Sequence, residues 1–215
     1  MISDLLTVAV LALVGTRLVS AARVAVTSRA RQHTRLIVAG LRPRHFLLAP
    51  PVFGAVLAVA VPLYALVPPL RFGWWTALGG TGNIVTGGTD RTAGTPLEWI
   101  VPAVFLLLLV PALPLFAERE EIVFRRGAED WSFGRRIRQG LKFGLVHLVM
   151  GIPIAFGLAL SVGGWYFMWA YLRGYRAGGE REGPAVLEST RAHLAYNMEI
   201  FGLAAIVLLV SGGLR

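Results

Sequence analysis

The sequence has no cysteine, one lysine among its 21 basic residues, and only 12 acids. The missing cysteines exclude a disulfide scaffold and any thiolate-ligated metal site. Charged residues make up 15% of the 215 positions, against about 25% in ordinary soluble domains. So little charge cannot solvate the surface of a globular enzyme. Apolar residues take its place, at 55% of the chain and a mean hydropathy of +0.64. Val101–Val110 and Phe201–Val210 contain no polar side chain. The composition predicts an integral membrane protein, and the length allows about five to seven spans of roughly 20 residues.

The formal charge is +9, with an isoelectric point near 11.1. In a soluble protein this excess would suggest nucleic acid. Here the arginines fall in blocks between apolar runs, and no zinc-finger, helix-turn-helix or RNA-binding pattern is present. That distribution is the positive-inside signal of a polytopic protein, and no nucleic-acid partner is expected.

The first apolar run is Leu5–Val19, in which Arg17 is the only charge, and it is followed by the basic stretch 23–44. It lacks the basic n-region of a cleavable signal, so a retained anchor with an exterior N-terminus is expected. Phe46–Leu70 is the second run, broken by Pro50, Pro51, Pro62, Pro68 and Pro69. Residues 71–95 then read as an exterior Gly- and Thr-rich loop bordered by Trp74, Trp75 and Trp99. Within it, 79–88 resembles a phosphate loop only superficially, with no Lys after the last Gly. Leu97–Phe116 is the third run. Ile137–Met150 and Pro153–Tyr175 are read as two spans split at Gly151-Ile152-Pro153, because proline removes a helix donor and restricts its predecessor. Ala192–Val210 is the sixth. The expected fold is all-α, a bundle of about six transmembrane helices, some short or proline-broken. Residues 1–96 would form an N-terminal hairpin with its exterior loop, and 97–215 the functional core. The Arg-rich loops 23–44, 125–142 and 173–191 would face the cytoplasm. The preference for Arg over Lys points to a high-G+C bacterial genome, and hence to a bacterial cytoplasmic membrane.

Ionisable groups at membrane depth are costly and mark candidate sites. Glu118, Glu120 and Glu121 end the third span, His147 lies in the fourth, and His193, Asn197 and Glu199 lie in the sixth. At 1.5 Å per residue, Glu120 is about 9 Å from the helix end near Arg126, and His147 about 15 Å from Ile137. Glu121 and Arg125, Phe143 and His147, and His193 and Asn197 are each i,i+4 pairs, so each shares a helix face. Pairing of Glu121 with Arg125 would leave Glu120, about 100° round the helix, free. A carboxylate beside a neutral imidazole can activate water, and a second His with an Asn amide can donate to an oxyanion. Each group also has a plainer reading: a helix-end ion pair for Glu121–Arg125, a snorkelling carboxylate for Glu120, and interhelical glue for Asn197. His33 and His45, in or beside the first basic block, are expected to be solvated.

Glu120-Glu121-Ile122-Val123-Phe124-Arg125 reads EExxxR, Phe143 to His147 reads FxxxH, and His193 to Asn197 reads HxxxN. In this order on successive apolar helices, over roughly 118–201, the motifs resemble the CPBP family. That family comprises type II CAAX prenyl endopeptidases and bacteriocin-processing or self-immunity (Abi) proteins. The resemblance implies an intramembrane endopeptidase acting near the cytoplasmic face on a peptide or membrane-protein substrate. It implies that Glu120 activates water with His147, that His193 and Asn197 form the oxyanion hole, and that Glu121 and Arg125 support the site. A metal is left open. Glu120, His147 and His193 are the candidate ligands for a zinc with one open position, but no HExxH helix exists. The alternative is a non-catalytic membrane immunity or adaptor protein with the same fold. Oligomeric state is left open.

Overall fold

The computed structural model describes residues 2–80 and 94–213, which form helices and turns with no β-strand. Residues 81–93 of the expected exterior loop, and the side chain of Trp99, lie outside the described residues. The helices are α1 (Ile2–Ala25), α2 (Ser28–Ala39), α3 (Pro43–Leu66), α4 (Trp74–Ala77), α5 (Leu97–Leu109), α6 (Leu113–Arg125), α7 (Phe133–Val146), α8 (Ile154–Ala177) and α9 (Glu182–Gly213).

Three of the six expected spans coincide with helices long and apolar enough to cross a membrane: 8–25 of α1, and the whole of α3 and α8. The other three fall on helices that are interrupted, short or charged at one end. The third run is not continuous, because a 3-10 turn at Val110–Ala112 separates α5 from α6. Pro111 and Pro114 each remove an i→i−4 donor there. α7 has only 14 residues before a 3-10 turn, His147–Met150, continues it. α9 opens on charged residues. Conversely, Pro50, Pro51 and Pro62 do not break α3, which runs unbroken for 24 residues. In a span, packing and small backbone adjustments re-satisfy the carbonyls that a proline leaves unbonded.

The chain doubles back at Gly151, whose left-handed φ of 79° favours glycine, and α8 starts directly after Pro153. α7 and α8 then pack at backbone contact. A Cβ on Gly144 would lie 2.4 Å from the Gly157 carbonyl oxygen, and one on Gly164 would lie 2.7 Å from that of Gly140. Such small-residue seams replace hydrophobic driving force where the solvent is itself apolar. α8 is the central helix, packed by α7, α9 and α3.

The helix ends gather in two places. At the basic end, His33 of α2 meets Glu118 of α6, Arg44 of α3 meets Glu188 of α9, and Arg126 meets Glu182. Arg191 of α9 bonds the Leu36 and Ile37 carbonyls at the end of α2. At the opposite end, the Ile154 amide donates to the Phe72 carbonyl at 2.9 Å, and the Trp74 indole to the Leu148 carbonyl at 2.8 Å. His45 is therefore not solvated. It is 2% exposed, its Nδ1 accepts from the Arg42 amide, and its Nε2 lies 3.3 Å from Glu188. His33 keeps partial exposure but is held by both oxygens of Glu118, at 2.8 and 2.7 Å.

Candidate active site

Four helices bring the site together. α6 ends where Gly127 takes a left-handed φ of 79°, which leaves the EExxxR segment as its last turns. Ser132 caps α7 by accepting from the Arg135 amide; the helix then carries Phe143, and His147 opens the 3-10 turn that continues it. α9 presents Ser189, His193 and Asn197 on one face, spaced four residues apart.

Glu121 is fully buried and surrounded by donors. Arg125 Nη1 donates to Oε1 at 2.9 Å, and His193 Nδ1 donates to the same oxygen at 2.8 Å. The Ser189 hydroxyl lies between Oε2 and the Phe167 carbonyl, with one proton for two acceptors. Arg125 is equally buried. It donates to the Gly164 carbonyl at 3.3 Å and lies over the Phe143 ring, 4.2 Å from the centroid. A buried ion pair of this kind adds little net stability but is costly to break. Glu121 and Arg125 thus form the framework of the site.

Glu120 has the opposite environment. Its side chain is 36% exposed, while Oε2 is buried without a hydrogen-bond partner. The nearest cationic candidate, His193 Nε2, is 3.7 Å away, beyond hydrogen-bond range. His147 lies within the electrostatic reach of the same carboxylate.

The two imidazoles are oriented alike. His147 Nδ1 donates to the Phe143 carbonyl at 2.7 Å, so Nε2 is its unbonded nitrogen. His193 gives its Nδ1 proton to Glu121, which likewise leaves Nε2 toward Glu120. Phe167 stacks on the His193 ring at 4.3 Å, and the Phe143 ring stands edge-on to both imidazoles at 4.8 and 5.5 Å. These contacts fix both rings. With Nδ1 donating to Glu121, the His193 Nε2 accepts in the neutral ring and donates only in the imidazolium. Asn197 is half-buried one turn further along α9, and its amide bonds to none of the described residues.

Among the described residues, no three His, Asp or Glu side chains are grouped to hold a metal ion. Glu120, His147 and His193 are not grouped closely enough to be such a set. Sequence spacing missed Ser189 and Phe167. Ser189 was visible as the residue one turn before His193, whereas nothing in the sequence signals the Phe167 stack. No protein-family profile, curated protein or solved structure matches the chain.

Proposed function

We propose that this chain is a polytopic intramembrane endopeptidase of the CPBP type, with six passes and its basic end in the cytoplasm. Its substrate would be a peptide or membrane protein cut near that face. The observation that carries this reading is the division of labour between two adjacent carboxylates. Glu121 is saturated with donors, whereas Glu120 keeps a buried oxygen without a partner, 3.7 Å from the His193 Nε2 and within electrostatic reach of His147.

Glu120 takes a proton from a water that His147 Nε2 helps to orient. The water oxygen bonds to the scissile carbonyl carbon, and the carbonyl oxygen becomes an oxyanion, stabilised by protonated His193 and the Asn197 amide. The C–N bond then breaks as Glu120 passes its proton to the leaving amine. Water is consumed, one carboxyl and one amine are formed, and Glu120 is regenerated.

The test compares the termini of membrane proteins in cells carrying wild type, Glu120→Gln or His147→Ala. New termini should appear only with wild type, and both variants should remain folded in the membrane at normal abundance. If the termini are identical in all three strains and a cellular phenotype survives both substitutions, the chain is an adaptor or immunity protein.

A further inference from the structure

An open cavity of about 520 Å³ lies between the end of α1, the short helix α2 and α6. That is within the roughly 300–1,000 Å³ of typical ligand pockets. Val24, Leu36 and Leu115 give it apolar walls, and Arg29, Gln32 and His33 give it a polar rim. Val24 and Leu36 are more than half exposed, at 54% and 59%, so nothing within the described residues covers these walls.

The charge around the cavity has no counterpart in this part of the chain. Residues 5–89 contain eight arginines and not one Asp or Glu. Among the described residues, Arg23, Arg29, Arg31 and Arg35 form no ion pair. The acid nearest the rim, Glu118, is engaged by His33 through both oxygens. The first turn of α2 carries no acid either. An apolar slot with an uncompensated cationic mouth, at the basic end of a membrane bundle, complements a ligand that is anionic at one end and hydrocarbon at the other.

We propose that the α1–α2–α6 cavity binds an anionic phospholipid, with its phosphodiester on Arg29 and Gln32 and an acyl chain along Val24, Leu36 and Leu115. A zwitterionic choline lipid would set its own cation against the arginines of α2. The bound lipid would adjoin the His33–Glu118 contact, two residues from Glu120 on the same helix. This assignment rests on the membrane reading above but not on the hydrolytic one.

Native mass spectrometry of the full-length, detergent-purified protein tests it, with phosphatidylglycerol and phosphatidylcholine titrated separately. Phosphatidylglycerol should be retained one-to-one under activation that strips phosphatidylcholine. Arg29→Gln should weaken retention about fivefold, the contribution of one basic residue near an anionic surface. Leu115→Trp, which fills the slot without changing charge, should weaken it at least as much. Arg31→Gln, on the same helix but outside the cavity, should stay within about twofold of wild type, since its charge lies more remote from the site. Equal retention of the two lipids overturns the site, as does no effect of Leu115→Trp. Equal losses in Arg29→Gln and Arg31→Gln also overturn it, because they mean diffuse attraction to a basic surface. Glu120→Gln should bind lipid like wild type, so a failed protease assay leaves this result standing. Release of wild type from carbonate-washed membranes would instead overturn the membrane reading itself.

Discussion

Glu120 and Glu121 are sequence neighbours with opposite surroundings, and their amides should behave in opposite ways. Glu121→Gln leaves Arg125 as an uncompensated buried cation, which costs about 3–5 kcal/mol. Glu120→Gln removes a carboxylate without a hydrogen bond and should change stability by less than about 0.5 kcal/mol. Thermal unfolding in detergent separates the two, and equal losses would refute this assignment of framework and base. A second titrating residue lies at the basic end. Burial pushes the Glu188 carboxyl up, but the hydrogen bonds of His45 and Arg44 and the Arg44 charge outweigh it and hold the group down at about 2. A depressed carboxyl stabilises the fold above its unfolded value near 4.5 and loses that contribution as pH falls toward 2. Glu188→Gln should therefore flatten the loss of stability over that window, measured as unfolding temperature against pH. At this scale the i,i+4 pairs were legible, since helix geometry alone joins Glu121 to Arg125. His45 was misread because its partner, Glu188, is 143 residues away, and local charge gives no sign of it.

The α7–α8 hairpin depends on glycine at particular points of contact. A methyl at Gly144 meets backbone atoms of Gly157 and Ser161, at 2.4 and 2.5 Å. Gly144→Ala should cost about 1–3 kcal/mol by overpacking. Because His147 is three residues further along, the variant should also lose the hydrolytic activity proposed above. Gly134, on the same helix, has nothing within 4 Å, so Gly134→Ala should be neutral or slightly stabilising. Limited proteolysis and unfolding temperature check both, and similar effects from the two alanines would show that the seam is not tight. The end of α7 was legible from Gly151 and Pro153. The α5–α6 break was not, because a proline inside an apolar run gives no sign of whether it will be tolerated. α3 accommodates three prolines, while Pro111 coincides with a 3-10 turn. Neighbouring helices decide between those outcomes, and hydropathy does not register them.

The whole molecule has a basic end and an opposite end, each closed by contacts between distant segments, and its lack of cysteine makes sidedness easy to measure. Single cysteines at Arg31 and Arg181, both exposed at the basic end, should react with an impermeant maleimide only after cells are permeabilised. Ala77→Cys, exposed near the opposite end, should react in intact cells. Matching reactivity at all three would refute the proposed orientation. Composition was enough to indicate an all-helical chain with helices long and apolar enough to cross a membrane, but which helix would be central was hidden, since α8 is no more hydrophobic than α3. The arrangement also imposes an order on biogenesis. Glu121 receives Arg125 from its own helix, while Ser189 and His193 arrive 68 and 72 residues later. A ribosome therefore releases the third apolar stretch well before two of that carboxylate's donors have been translated. A nascent chain stalled before α9 would carry Glu121 with Arg125 but without its Ser189 and His193 donors. α9 is the keystone, and the donor set around Glu121 is incomplete until that helix has been made.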